Sequence, residues 1–285
     1  MEIRFKKVNF KYKGLSDITH ALKEVSLTIN HKNEFIAVVG QTGSGKSTLV
    51  QLMNGLLIPD SGTVDVFGFK LPPKRRQKIN QLRQEVGLVF QFPEYQLFEE
   101  TVIKDIMFGP KNFKKTAKDA ETRALEAAKM VGLEGDILKS SPFKISGGQM
   151  RRAAIAGILA MDPRVLVLDE PTRGLDPQGR TEMMELFKEI HENTKKTIIL
   201  ITHDMDLVSE YAKRVIVLKD GEVVFDGKKE ELFEDPNFKS YHLSLPTPLK
   251  ILKYLEEECG IIYKPQYTYD DLIKYLKEGK KWTIL

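Results

Sequence analysis

Apolar and polar residues alternate in two segments near the start of the chain, at 3–12 and 22–29. A period of two is typical of half-buried strands, so these segments are predicted to form an antiparallel sheet. Later segments are mostly apolar without alternation, and these are 35–39, 85–90, 164–169 and 197–202. A continuous apolar run indicates a parallel strand that is covered on both faces. The chain is therefore predicted to build a mainly parallel sheet with helices on both sides.

Between 101 and 160 the pattern changes to that of helices. Residues 116–131 are rich in strong helix formers, and an apolar helix is predicted at 153–160. We place this helical insertion at about 92–162. Further on, the strand pattern returns on either side of Asp220-Gly221, which predicts a hairpin.

Pro236 marks a predicted boundary between a main domain at 1–235 and a C-terminal extension at 236–285. Inside the extension, Thr247-Pro248 and the segment from Thr268 to Asp271 each predict a helix start. So short a segment cannot bury many aromatic side chains by itself, and we expect it to pack against the main domain or another subunit. The aromatic residues concerned are Tyr254, Tyr263, Tyr267 and Tyr269.

A glycine-rich loop at 40–48 lies between the predicted strand 35–39 and a helical pattern that runs from Leu49 to Leu56. Its backbone N–H groups can surround phosphate oxygens, and the start of the following helix adds partial positive charge. Lys46 would reach the β- and γ-phosphates, and the hydroxyl of Ser47 would ligate Mg²⁺. An ordinary glycine-rich turn is the alternative. The loop consists of Gly40, Gln41, Thr42, Gly43, Ser44, Gly45, Lys46, Ser47 and Thr48.

This loop and the strand pattern together predict an α/β fold. Its centre would be a P-loop NTPase core, with a mixed, mainly parallel sheet and flanking helices. An antiparallel β subdomain, the helical insertion and a short α-rich C-terminal extension would complete it.

Polar residues follow the predicted buried strands at the edge where parallel sheets bind ligands. Gln91 can reach both a metal ion and an attacking water, although a Gln there is also a common loop residue. Asp169 would act on the magnesium shell and Glu170 on water, with a structural carboxylate pair as the alternative. Two adjacent acids at the end of a buried strand are costly without a cation. His203 can donate a hydrogen bond to a γ-phosphate oxygen and hold the water.

Two further features indicate nucleotide contact. The segment 146–149 opens a helix, where backbone N–H groups and the helix dipole can hold an anion; a simple capped helix start is the alternative. The ring of Tyr12 can lie against a purine base, with a core or edge-strand tyrosine as the alternative. The helix-opening segment consists of Ser146, Gly147, Gly148 and Gln149.

Composition limits the classes of protein that these motifs can serve. The chain has 285 residues, of which 41% are hydrophobic, so it can build a substantial core. Its net charge of +4 is a small difference between 44 basic and 40 acidic residues and does not by itself argue for nucleic acid. A sole cysteine, Cys259, excludes an internal disulfide and a cysteine-based zinc site. Without an apolar run of about 18 residues, the expected location is the cytoplasm.

Taken in order, these motifs resemble those of ATP-binding-cassette (ABC) ATPases, and the resemblance covers about residues 1–235. Six motifs in the same order and in compatible structural contexts make it specific. The resemblance implies roles for individual residues. These are adenine stacking for Tyr12, the Q-loop for Gln91, the signature motif for 146–149, the metal-side acid for Asp169, the catalytic base for Glu170, the D-loop for Asp176 and the switch histidine for His203.

The resemblance also implies a set of metal ligands, and two residues depart from the family pattern. The implied metal ligands are Ser47, Gln91 and Asp169. Ile145 stands where the family usually has Leu, which is a conservative change. Arg173 stands where a small residue is usual, which weakens the expectation of coupling between paired ATP sites.

More narrowly, the segments 90–98 and 146–152 and the C-terminal extension resemble the energy-coupling-factor (ECF) transporters for vitamins and metal ions, and in particular the second ATPase of that module. The resemblance implies ATP as substrate, Mg²⁺ as cofactor and no nucleic acid. Implied partners are a second ABC ATPase in a homo- or heterodimer, a transmembrane coupling subunit and a substrate-binding membrane subunit.

The resemblance to ECF transporters further implies a peripheral protein at the cytoplasmic face of the cell membrane. There ATP would close, and hydrolysis would open, a head-to-tail ATPase dimer that drives import. The alternative is a soluble ABC ATPase that acts on nucleic acid or ribosomes. Such a protein usually carries two cassettes in one chain, a long coiled coil or a strongly basic linker, and the sequence has none of these.

Overall fold

Strands and helices alternate along most of the chain in the computed structural model, which describes residues 2–13, 18–30, 33–73 and 79–278. The strands are β1 Glu2–Lys13, β2 Ile18–Asn30, β3 Phe35–Val39, β4 Ser61–Val66, β5 Phe69–Leu71, β6 Val86–Val89, β7 Val165–Asp169, β8 Thr197–Ile201, β9 Arg214–Lys219 and β10 Glu222–Lys228. The helices are α1 Lys46–Met53, α2 Asn80–Glu85, α3 Val102–Lys111, α4 Ala120–Met130, α5 Gly147–Leu159, α6 Pro177–Thr194, α7 Met205–Tyr211, α8 Lys229–Phe233, α9 Thr247–Cys259 and α10 Tyr269–Glu278.

A six-stranded sheet occupies the centre of the protein, with the strand order β10-β9-β3-β8-β7-β6. Its strands pair in parallel except for β10, which pairs antiparallel with β9 as the predicted hairpin. Every residue of β3, β6 and β8 is buried, as continuous apolar runs require. The predicted α/β fold with a mixed, mainly parallel sheet is confirmed.

The N-terminal strands form a second, antiparallel sheet in the order β2-β1-β4-β5. On β1, Ile3, Phe5 and Val8 face the core while Arg4 and Lys6 are exposed, so the alternation in the sequence matches one buried face. Short β5 was not predicted. Residues 74–78, which follow soon after it, are outside the described ranges.

The helical insertion contains α3, α4 and α5, which pack together in a core that is continuous with one face of the central sheet. Helix α4 corresponds to the helix predicted at 116–131, where a 3₁₀ turn precedes it. Helix α5 begins at Gly147, where the side chain of Ser146 caps its first turn, so the helix start predicted at 146–149 is present and the apolar segment 153–160 belongs to the same helix. The bounds of about 92–162 for a separate insertion stay a prediction.

Two helical features differ from the sequence interpretation. Leu56 was taken as part of the helix after the glycine-rich loop, but α1 ends at Met53, and Leu56 is 43% exposed. The left-handed conformation of Gly55, with φ of 69°, turns the chain away from the helix direction. Helix α6 was not predicted, although Asp176 and Pro177 provide a cap and a proline at its start.

The C-terminal extension is bound to α7 by hydrogen bonds. The carboxylate of Asp206 accepts from the backbone N–H of Thr247 at 2.5 Å and from its hydroxyl at 2.7 Å, which fixes the first turn of α9. The hydroxyl of Ser209 donates to the carbonyl of Tyr267 at 2.5 Å. Both predicted helix starts are present, since α9 begins at Thr247 and Thr268 caps α10.

Some aromatic residues of the extension lie in the core and others at the surface. Tyr263 and Tyr267 pack against a core cluster to which both 1–235 and 236–285 contribute, whereas Tyr254 is 62% exposed and Tyr269 is 47% exposed. Packing against the main domain therefore accounts for two of the four tyrosines. A contact with another subunit stays a prediction, and residues 279–285 of the extension lie outside the described ranges.

We expect Asp206→Ala to loosen α9, because two hydrogen bonds to one carboxylate are lost, at a cost of about 2–3 kcal/mol in local stability. Amide hydrogen exchange across α9 measures the change. Glu257→Ala, at an exposed position of the same helix, is the control and should leave exchange near the wild-type value. If amide exchange across α9 is as slow in Asp206→Ala as in the wild type, apolar packing alone holds the extension.

Candidate nucleotide site

The glycine-rich loop 40–48 leaves β3 and enters α1 through three left-handed residues, with φ of 144° at Gly40, 83° at Gly43 and 103° at Gly45. A side chain at two of them would collide with backbone. An added Cβ would lie 2.1 Å from the carbonyl oxygen of Leu218 at Gly40, and 2.4 Å from that of Ala21 at Gly45. These glycines let the loop curl tightly between the two sheets, with its N–H groups available to an anion.

Lys46 lies inside the loop, where its side chain is nearly buried. Its ammonium donates hydrogen bonds to the carbonyls of Gly40 at 2.7 Å and Gln41 at 2.8 Å. Burial lowers its pKa, while the nearby charges of Glu170 and Asp169 act in the opposite direction. The hydroxyl of Ser44 is buried without a hydrogen-bond partner in the described part of the chain, so the loop holds a spare polar group as well as a buried cation. Both features fit a phosphate cradle.

Asp169 ends β7 beside the loop, and its carboxylate accepts a hydrogen bond from Ser47. Burial raises the pKa of Asp169, and the charge of Glu170 raises it further, while Ser47 and Lys46 lower it. When burial raises the pKa of a carboxyl group in this way, a cation placed beside it stabilises the charged form. The structure therefore favours a cation beside Asp169.

The residues around Asp169 fit Mg²⁺ in particular. Ser47, Gln91 and Asp169 line one cavity and offer the hydroxyl, amide and carboxylate oxygens that Mg²⁺ prefers. No cluster of three His, Cys, Asp or Glu side chains able to hold a metal occurs among the residues described. A magnesium ion here would thus take its other ligands from water and phosphate, which is how Mg²⁺ is usually bound beside nucleotides.

Glu170 and His203 form a contact at the mouth of this region. Nδ1 of His203 lies 2.8 Å from Oε1 of Glu170, and because an ionised carboxylate only accepts, Nδ1 is the donor. Nε2 can then donate to a phosphate oxygen only when the ring is protonated on both nitrogens. Glu170 has a left-handed backbone with φ of 50°, and its N–H donates to the carbonyl of Ile201 on β8. Such strain in a non-glycine residue is common at functional sites.

A cavity of 400 Å³ runs from the phosphate loop to Tyr12. The hydroxyl of Tyr12 lies 3.2 Å from that of Thr48, and its ring stands nearly perpendicular to that of Phe10, with centroids 5.0 Å apart. The residue is 43% exposed. Of the predicted residues, the cavity is lined by Tyr12, Thr42, Gly43, Gly45, Lys46, Ser47, Thr48, Gln91, Asp169 and Glu170.

Several predicted residues do not line the cavity. Within the loop these are Gly40, Gln41 and Ser44, and elsewhere they are His203, Asp176 and the segment 146–149. Asp176 accepts the N–H of Gly179 at 2.7 Å and so caps α6. Ser146 and Gln149 bond to each other's backbone N–H in a capping box. A Cβ added at Gly147 or Gly148 would meet no atom within 4 Å, so this helix start faces open space.

The sequence interpretation missed four residues that line the cavity, and one of them, Ile201, is the last residue of β8. Thr19 and Ala21 lie on β2, where Thr19 pairs with Tyr12. The register of the first two strands would have identified them. Arg173 follows the Asp169-Glu170 pair and was noted only as a departure from a family pattern, yet it lines the same cavity. It adds positive charge near the phosphate end.

A buried strand, a glycine-rich loop with an internal lysine, and an acidic pair at one cavity together define a P-loop nucleoside triphosphatase. The sequence pattern of the family described as "ABC transporter" matches residues 22–173, and the chain belongs to this family. The resemblance drawn from the motifs is confirmed. As a member, the chain is an ATPase that uses ATP with Mg²⁺ and couples hydrolysis to transport.

Similar proteins carry a more specific name. "Energy-coupling factor transporter ATP-binding protein EcfA2" of Ligilactobacillus salivarius is 55% identical over 284 residues, covering 97% of this chain and 98% of the relative. The protein of the same name from Bacillus cereus is 45% identical over 287 residues, covering 98% of each. These relatives match the extension as well as the main domain.

Solved structures agree with this family. CbiO1 of Clostridium perfringens, described as part of the ABC transporter complex cbiONQ, is 37% identical with a TM-score of 0.71, covering 90% of this chain and 94% of that one. The ATP-binding cassette MJ0796, in a dimer bound to ADP and Pi, is 32% identical with a TM-score of 0.69, covering 79% and 98%. Within the described ranges, no helix of the present chain is long and apolar enough to cross a membrane.

We expect Gly45→Ala to destabilise the protein more than Gly43→Ala. At both positions the left-handed backbone costs an L-residue about 1–2 kcal/mol. At Gly45 the methyl group would also meet the Ala21 carbonyl at 2.4 Å, whereas nothing lies within 4 Å at Gly43. This overpacking adds about 1–3 kcal/mol. Chemical denaturation without nucleotide measures both values, and equal losses would contradict the described loop.

Proposed function

We propose that this chain is the ATP-hydrolysing subunit of an ECF-type importer for a vitamin or a transition-metal ion. One observation carries the proposal. Lys46, Asp169 and Glu170 surround one cavity in a chain that is 55% identical to an ECF transporter ATP-binding protein. The alternative of a soluble ABC ATPase acting on nucleic acid or ribosomes has no observation in its favour.

In this proposal, Glu170 is the general base of hydrolysis. Its carboxylate accepts a proton from the attacking water, which the amide of Gln91 helps to orient. His203 holds the Glu170 carboxylate through the 2.8 Å hydrogen bond from Nδ1, and its ring, when protonated on both nitrogens, also donates from Nε2 to phosphate. Mg²⁺ would be held by Ser47, Asp169 and Gln91, and when bound it neutralises charge on the phosphates.

The rest of the cavity binds and orients ATP. Lys46 exchanges its bonds to loop carbonyls for phosphate oxygens, and the N–H groups of 40–48 surround the phosphates. Tyr12 stacks on adenine with its exposed face, an interaction of about 1 kcal/mol. The contact between Tyr12 and Thr48 sets the distance between the base and the phosphate loop.

Each chain provides two separate halves of an ATP site. The P-loop half is the cavity around Lys46, and the other half is the open helix start at 146–149. Since that helix start does not line the cavity of its own chain, we propose that it covers the γ-phosphate of a partner ATPase, and that the partner covers the site of this chain. Asp176 lies in the loop between the halves and contacts the partner. ATP thus closes a head-to-tail dimer and hydrolysis opens it.

We propose that the transmembrane coupling subunit contacts the segment 91–98. Phe92, Tyr95 and Phe98 are exposed on it, and Phe98 packs edge-on against Phe108 with centroids 4.8 Å apart. Of these rings, Phe98 and Phe108 line a groove of 410 Å³ between the core and the insertion. Exposed aromatics at an apolar groove suit an amphipathic helix as occupant.

The buried carboxylate of Asp105 fixes the segment beside this groove, because it accepts the N–H groups of Phe98 and Glu99. The proposed contact with the transmembrane coupling subunit places the protein peripherally at the cytoplasmic face of the membrane. A substrate-binding membrane subunit belongs to the same complex. The extension at 236–285, with Tyr254 and Tyr269 exposed, provides a further subunit contact.

The function is tested by purifying the chain from membranes with its partners and comparing wild type with Glu170→Gln. The variant is expected to bind ATP normally and to lose hydrolysis and substrate uptake by about 100-fold or more, because an amide cannot accept the proton of water. Lys46→Ala, by comparison, should lose ATP binding itself. Hydrolysis by Glu170→Gln at the wild-type rate would refute the base, and absence of membrane subunits from the purified complex would refute the transporter.

Ser146→Arg is expected to impair hydrolysis at the partner's P-loop and not at the one built on Lys46. An arginine side chain at this position would fill the open space where the partner's phosphate is expected. Mixed complexes, in which only one of the two ATPases carries the change, separate the two sites. If the loss is confined to the P-loop of the mutated chain, the head-to-tail arrangement is wrong.

A further inference from the structure

Arg151 is a buried charged residue that the hydrolysis chemistry does not use. It lies on α5, one turn after the helix start at 146–149, and is 4% exposed. Its Nε and Nη2 donate to the two carboxylate oxygens of Glu94 at 3.1 and 2.9 Å. Glu94 belongs to the 3₁₀ turn Pro93–Gln96, which lies in the aromatic segment after Gln91. The bidentate pair therefore connects this segment to α5.

The remaining donor of Arg151 points to a third element. Its Nη1 donates to the carbonyl oxygens of Pro171 at 3.3 Å and Arg173 at 3.2 Å. Both belong to the loop that leads from Glu170 to the cap of α6. One guanidinium, carried by α5, therefore bonds to two other segments. These are 93–96, which follows Gln91, and 171–173, which follows Glu170.

Only arginine can make this set of contacts. Its planar group has five N–H donors in a fixed geometry, so it serves a carboxylate on one edge and carbonyl groups on another. Lysine would place a single point charge there and could satisfy only part of the set. Burying a pair of charges costs free energy, because both groups lose their water. The best attested role of such a pair is to fix one arrangement of the groups around it.

We propose that Arg151 is a positioning residue that makes the segment 92–98, helix α5 and the loop 171–176 move as one body. A displacement of the aromatic segment is thereby passed to the signature half-site and to the loop beside Glu170 at the same time. The coupling of these three elements depends only on contacts within one chain and requires no partner subunit. Its use in transport rests on the proposed contact between 92–98 and the membrane subunit.

The coupling is tested first by amide hydrogen exchange of the full chain. Glu94→Gln keeps the shape of the pair and the carbonyl bonds of Arg151, while Arg151→Lys keeps the charge and loses the bonds to 171 and 173. If the segments move as one body, each variant accelerates exchange in both 92–98 and 171–176, by roughly tenfold for the loss of a charged hydrogen bond. If each variant loosens only the segment whose own bond it removes, the proposal is overturned.

The second test measures ATP hydrolysis by the complex. Both variants are expected to lower kcat roughly tenfold and to leave the KM for ATP near the wild-type value, because Arg151 and Glu94 do not line the cavity. Glu85→Gln is the matched control. Its ion pair with Arg164 has a similar length of 2.8 Å, and the Glu85 side chain is 16% exposed against 15% for Glu94.

The control separates positioning from stability. Glu85→Gln is expected to lower the unfolding temperature less than Glu94→Gln, because the side chain of Arg164 is 36% exposed and that of Arg151 only 5%, and to leave kcat unchanged. A kcat of Glu94→Gln or Arg151→Lys equal to that of the control would overturn the proposal. Failure of the wild-type complex to transport would instead refute the proposed function, and the exchange experiment would still decide the coupling.

Discussion

Parallel pairing of β3, β8 and β7 is the constraint on which the nucleotide cavity depends. In parallel strands the carboxyl ends meet at one edge, so the glycine-rich loop, the acidic pair and His203 are delivered together. The hydrogen bond from Glu170 N–H to the carbonyl of Ile201 continues this pairing by one residue beyond the strands. A shift of β7 by one residue would point Asp169 away from Ser47, because successive side chains face opposite sides.

The same edge creates an imbalance of charge that a nucleotide corrects. Asp169 and Glu170 are adjacent acids, one with its pKa raised by burial, and Lys46 is a buried cation bonded to loop carbonyls. Phosphate satisfies the lysine and loop N–H groups, and a bound cation satisfies the acids. A separate helix start at 146–149 carries a second set of N–H groups that face open space. These features support the proposal that a partner ATPase completes each ATP site.

Local patterns in the sequence were sufficient to predict much of this fold and many residues of the site. The apolar runs identified β3, β7 and β8, and the rule for parallel sheets then brought Lys46 and Asp169 to one edge. Contacts between distant residues could not be predicted. Arg151 and Glu94 are 57 positions apart, and nothing in either neighbourhood specifies the other. Likewise, the bond between Asp206 and Thr247 depends on how the extension folds back on α7, which is a tertiary property.

The most direct test of the account measures ATP hydrolysis per chain over a range of protein dilutions, while sedimentation reports the state of assembly. The account predicts that turnover per chain falls to background as the assembly dissociates, although the isolated chain still binds ATP. Adding the partner subunits at the same dilution should restore hydrolysis. Constant turnover per chain in a preparation that sediments as a monomer would contradict the claim that two chains complete each ATP site.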